Sequence, residues 1–110
     1  MEKAKVICMC GSLKYTPELM KETEKLTLEG HNVISVIYET RDRHSYTEDE
    51  IQLFVELHHQ KIDLADAIFV NNINGHIGEG TKCDIEYAKQ QGKEILYLEQ
   101  PLEKNHTLMK

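Results

Sequence analysis

No apolar run in this sequence approaches the ~18 residues of a membrane span, and the N-terminus carries no long apolar region of the signal-peptide kind. Neither a membrane partner nor a secretory leader is expected, and a cytoplasmic setting is. Cysteine is scarce. Cys8, Cys10 and Cys83 are an odd number in no zinc-like spacing, so a disulfide framework is excluded and neither a metal nor any other cofactor is expected. The alternation of a strand points Cys8 and Cys10 to one side, and Cys83 is expected to open a distant helix. All three are read as buried or partly buried thiols in a reducing compartment. Positive charge is in deficit too: the formal net charge is -6, with Lys and Glu dispersed. No basic stripe is available for duplex nucleic acid, so a nucleic acid polymer is not an expected partner. The chain also has no GxGxxG and no Walker lysine motif, which argues against dinucleotide and triphosphate enzymes. Internal repeats and low-complexity segments are absent.

What remains fits one domain over residues 1-110, with 102-110 as a short polar tail. Lys5 to Cys10 is a nearly continuous apolar run, the pattern of a central strand buried on both faces. Gly11 and Ser12 end it. Thr16-Pro17-Glu18 then supplies an N-cap, a proline at the first helical position and an early acid, and Gly30 closes the helix. Val33 to Tyr38 reads as a second strand. The connector Glu39 to Tyr46 holds the only two arginines, Arg41 and Arg43, with His44. It suits either a loop that folds over a ligand or a solvated connection.

Thr47-Glu48-Asp49-Glu50 is a capping box, and the helix after it is the most periodic element of the chain. Ile51, Phe54, Val55, His58, Ile62 and Ala65 form one stripe that should be buried, with His59 at its border. A histidine there is either a satisfied core residue or a proton donor poised near neutrality. Ala67 to Val70 and Ile95 to Leu98 are two further apolar runs. Asn71, Asn72 and Asn74 follow the first of these, and either hydrogen-bond a ligand or simply form a turn. Leu102, Leu108 and Met109 in the tail are candidates for packing on a neighbouring subunit.

Strand and helix alternate three times before a last strand, which calls for an α/β fold. The expected architecture is a single flavodoxin- or Rossmann-like domain, a four-stranded parallel sheet in order 2-1-3-4 with helices on both faces. Its topological switch lies between the first and third strands, so Gly11 to Tyr15 and Gly75 to Asp84 converge on one crevice. The segment Gly75 to Lys93 organises the rest: a glycine-rich turn that aims backbone N–H groups and a helix N-terminus at that crevice. At about 100° per residue, Asp84 lies roughly 40° from the apolar Ala88 and Glu86 roughly 160° away. Asp84 should lean toward the sheet edge and Glu86 into solvent. The competing reading makes Thr81 the helix cap and Asp84 an acid of the first turn, in a capping-box-like pair.

The stretches VICMCGSLKYTPELMKETEKLTLEGHNVISV and IDLADAIFVNNINGHIGEGTKCDIEYAKQQGKEILYL, taken together, resemble the nucleoside 2-deoxyribosyltransferase superfamily. One branch of it hydrolyses the N-glycosidic bond of 2'-deoxynucleoside 5'-monophosphates. Cys10-Gly11-Ser12, Ala65-Asp66, Gly80-Thr81, Tyr87-Ala88 and Gly92-Lys93 carry the resemblance. It implies that Asp84 stands where the family has its nucleophilic glutamate, acting at the anomeric carbon as the base leaves. Two departures accompany that shorter carboxylate. Gly78 occupies the place of an acid that the family carries before its Gly-Thr, and His58 stands near a helical acid of many members.

The implied activity is N-glycosidic bond cleavage or transfer on a nucleoside or (deoxy)nucleoside 5'-monophosphate. Asp84 and His58 are its candidate catalytic residues, with Gly11, Ser12, Asn72, Gly78, Gly80 and Thr81 as candidate substrate contacts. A homodimer or higher homo-oligomer is the expected assembly. The alternative is a noncatalytic nucleotide-binding or sensor module using the same crevice.

Overall fold

Val6–Cys10, apolar at every position, forms β1 and has a strand on each side. The computed structural model describes residues 4–101, so the expected contacts of Leu102, Leu108 and Met109 lie outside the described residues. With β2 (Asn32–Ile34), β3 (Ala67–Val70) and β4 (Glu94–Tyr97), β1 makes a four-stranded all-parallel sheet in the order β2-β1-β3-β4. This is the expected topology. Cys8 is aligned with Ile68 and Ile34, and Cys10 with Val70.

Because side chains alternate along a strand, the sheet builds two cores. Ile7, Met9, Ala67 and Phe69 pack on one face with Leu19 and Leu26 of α1 (Thr16–Leu28). Cys8, Cys10, Ile68 and Val70 pack on the other, with Ile62 of α2 (Glu48–Leu64) and with Ile85 and Ala88 of α3 (Glu79–Gln90). Side chains such as Ile62 and Leu19 are fully buried, and each contributes roughly 1.5–3 kcal/mol by leaving water. No helix among the described residues is long and apolar enough to cross a membrane.

Helix ends follow local chemistry. The α2 capping box is complete: Glu50 N–H donates to Thr47 Oγ1 at 3.1 Å, and Thr47 N–H donates to Glu50 Oε1 at 2.9 Å. Gly30 and Gly92, at φ +97° and +72°, end α1 and α3 in paired backbone bonds of the Schellman type. At α1 the expected Thr16 cap gives way. A short 3-10 turn over Leu13–Tyr15 runs into the helix, so the Thr16 hydroxyl donates back to Leu13 O at 2.6 Å while Ser12 caps the turn.

Two expectations about length and burial also change. The second strand ends at Ile34, and the chain beyond it leaves the sheet instead of continuing to Tyr38. Lys61 Nζ donates to Ser35 O at 2.9 Å, replacing a ladder bond for that departing segment. The stripe on α2 is buried only over His58, Ile62 and Ala65. Its first half, Ile51, Phe54 and Val55, faces a cavity instead of the sheet.

Candidate active site

The cavity, about 490 Å³, opens where the β1 turn meets the start of α3. Gly11, Ser12, Gly78, Gly80, Thr81, His58 and Asp84 all line it. The two glycine-containing turns thus converge as the switch-point topology requires. Gly11 is confined there by packing: a Cβ would stand 3.1 Å from Asn71 Cβ. Val36, Ile37, Ile51, Phe54 and Val55 give the cavity an apolar wall, and Lys14, Glu39 and Arg43 line it as well.

Asp84 is held by helix packing and not by a cap. α3 starts at Glu79 with Gly78 as N-cap and no side-chain cap bond, which overturns the reading of Thr81 as the cap. Thr81 is instead buried in the first turn, and Asp84 falls in the second, where the helix dipole has faded. Glu86 is exposed, as its angular position requires.

Where α2 crosses α3, Asp84 Oδ2 lies 3.5 Å from His58 Nε2 and Oδ1 lies 3.6 Å from His59 Nε2. These are ion-pair distances, longer than good hydrogen bonds. His59 is stacked on the Tyr87 ring, centroids 4.1 Å apart and planes 5° from parallel, and the Tyr87 hydroxyl donates to Asp63 Oδ1 at 2.7 Å. Tyr87 therefore orients the His59 imidazole beside Asp84.

Beneath His58 lie the two strand cysteines, both fully buried: Cys10 Sγ is 3.4 Å and Cys8 Sγ 4.0 Å from Nε2. Their convergence on one core face matches the strand alternation. Cys83 departs from its expectation, being exposed and several residues into the helix.

Burial raises the Asp84 pKa, opposed by the neighbouring His58 and His59. Burial acts to lower that of His58, but the Cys8 thiol and the Asp84 carboxylate outweigh it and the net direction is upward. The two thiols diverge: hydrogen bonding from Cys10 holds Cys8 down at about 5, while Cys10 is pushed up by that same bond and by burial. Asp84 and His58 thus hold their protons to higher pH than the free side chains do, whereas Cys8 ionises more readily.

Asn72 does not join the site. It is buried, its Nδ2 donates to Glu99 O at 2.6 Å, and its Oδ1 accepts from Glu99 N–H at 2.9 Å. Both ends of the amide are engaged in tying β3 to the exit of β4, and Asn72 is not among the residues that line the cavity. Asp66 of the Ala-Asp pair is structural as well, accepting from Val6 N–H at 2.8 Å. Within the connector, Arg43 pairs with Glu39 at the cavity edge, while Arg41 lies 4.2 Å over the Tyr46 ring. The apolar wall was not legible as a site because its residues have the spacing of an ordinary core stripe.

No protein-family model matches this chain, and neither does any curated protein.

Proposed function

We propose that the cavity binds a nucleoside or a (deoxy)nucleoside 5'-monophosphate and that Asp84 cleaves its N-glycosidic bond. The observation that carries this reading is the position of Asp84: a carboxylate in a cavity that is lined also by apolar side chains, glycine turns, a hydroxyl and cations. A base suits the apolar wall, and the sugar and any 5'-phosphate suit the turns beside Ser12, Lys14 and Arg43. The resemblance to nucleoside 2-deoxyribosyltransferases points to the same carboxylate.

In this mechanism an Asp84 oxygen bonds to the anomeric carbon as the carbon–nitrogen bond breaks, and the base leaves with the electron pair and takes a proton from solvent. Water, or a second base, then displaces Asp84 from the sugar. His58 sits too close to serve as the acid across the bond: at 3.5 Å from Asp84 it leaves no space for a sugar carbon between them. Paired carboxyl groups of retaining glycosidases stand about 5–5.5 Å apart. His58 acts here as a positioning residue that orients the carboxylate.

A second reading has one observation in its favour. Asp84 is mostly buried, with an imidazole facing each oxygen, a geometry that also suits a noncatalytic nucleotide-binding or sensor module. The deciding experiment is a chromatographic assay of free base released from a panel of nucleosides and 5'-monophosphates. Release by the wild type that Asp84→Asn abolishes supports the enzyme. Equal background in both, with nucleotide-dependent thermal stabilisation, replaces it with the binding module.

Three free thiols suit a reducing cytoplasm. Leu53, Leu57 and Leu64, all exposed on α2, suit the homodimer that the resemblance implies.

A further inference from the structure

Three side chains with ligating atoms meet at the floor of the cavity. The thiols of Cys8 and Cys10 and the imidazole of His58 place one such atom each within 4.8 Å of the others. We propose that they form a three-ligand binding site for a thiophilic closed-shell cation of the Zn²⁺ class. The observations behind it are separate from those behind the glycosidase reading, although His58 serves in both.

Distances carry the first part of the argument. A zinc ion about 2.3 Å from sulfur and about 2.0 Å from nitrogen sets tetrahedral S···N edges of roughly 3.5 Å. The edges here are 3.4 Å for Cys10 and 4.0 Å for Cys8, and Asp84 Oδ2 is 3.5 Å from the same Nε2. Small side-chain adjustments would bring the two sulfurs and the imidazole nitrogen onto one ion. Donor chemistry points the same way, since two sulfurs with an imidazole select a soft or borderline cation over magnesium or calcium.

The second part concerns the nitrogen. His58 Nε2 faces both sulfurs and a carboxylate oxygen, yet a ring nitrogen carries either one proton or one lone pair. A proton there satisfies one of the three neighbours. A cation at the centre of the group contacts both sulfurs and the nitrogen at once.

A disulfide is a poorer use of the same cysteines. Positions i and i+2 of a strand lie roughly 6.6 Å apart at Cα, at the outer limit of disulfide geometry. A route from solvent exists, because His58 and Asp84 line the open cavity. The odd cysteine count concealed this site. Its third ligand comes from a helix far along the chain, so no metal-type spacing is written in the sequence.

The test is titration of the metal-free protein with Co²⁺, followed by displacement with Zn²⁺. Expected are one equivalent per chain, intense visible bands of a tetrahedral ion, and near-ultraviolet thiolate-to-cobalt absorption that Zn²⁺ removes. Cys83→Ser should leave the spectrum unchanged, and Cys10→Ser should weaken binding at least tenfold and diminish the charge-transfer band. A pale octahedral spectrum without charge transfer in the wild type, or a signal lost in Cys83→Ser, overturns the proposal. The wild-type spectrum decides even where Cys10→Ser fails to fold. No nucleoside is present, so the outcome is separate from that of the base-release assay.

Discussion

Asp84 Oδ2 stands 3.5 Å from His58 Nε2 at the crossing of α2 and α3, and both groups are largely withdrawn from solvent. Each therefore sets the other's protonation. Asp84 is one of the influences raising the His58 pKa, alongside Cys8, while burial and Lys61 act downward. In the metal-free protein His58 should titrate above the ordinary histidine value of 6.5, and Asp84→Asn should move it down. The sign for stability follows: a raised folded pKa makes the protonated form stabilising, fully so below 6.5 and progressively less as pH rises through the folded value. In Asp84→Asn that loss should come at lower pH. Imidazole proton shifts followed by NMR across the titration check this, and an unmoved His58 in the variant would refute the coupling.

Much of this arrangement was legible in the chain, and the parts that were not share a cause. The apolar run at β1, the capping box at Thr47 and the terminating glycines are local signals, and the backbone obeys them. Asp84 could be separated from Glu86 because helical periodicity is local as well. Thr81 misled because a threonine three residues before an acid has the capping pattern, whereas Gly78 had already started the helix. Asn72 and the Cys8–Cys10–His58 cluster depend on partners 27 and about 50 residues away, which only the folded sheet brings together. The break in β2 is of the same kind, since Lys61 on a later helix receives the departing carbonyl.

Thr47→Ala should cost about 0.5–2 kcal/mol, because it removes the acceptor for Glu50 N–H and uncouples the reciprocal bond from Glu50 to the Thr47 backbone. α2 carries His58, so a frayed first turn would loosen the wall at Ile51 before it reached His58. Chemical denaturation measures the loss. A midpoint equal to that of the wild type would show that the cap contributes nothing.

Asn72→Ala should destabilise the fold without altering substrate affinity. The substitution strands the N–H and C=O of Glu99, and a polar group left unpaired in a part-buried position costs about 1–3 kcal/mol. Thermal unfolding should shift downward while KM in the base-release assay stays within twofold of the wild type. A change in KM at unaltered stability would return Asn72 to the list of substrate contacts.

Arg43→Ala should separate the two halves of the proposed substrate. The guanidinium lines the same cavity as Ser12 and Lys14 and is paired with Glu39. A 5'-phosphate at this place would gain a charge-assisted hydrogen bond of about 1.5–3 kcal/mol, or roughly 10- to 100-fold in affinity. An unphosphorylated nucleoside gains nothing from it. In the variant, KM for the monophosphate should therefore rise by roughly 10-fold or more, and KM for the matching nucleoside should hardly move. Equal effects on both would place Arg43 in the wall that shapes the cavity, and the phosphate would then belong to the glycine turns alone.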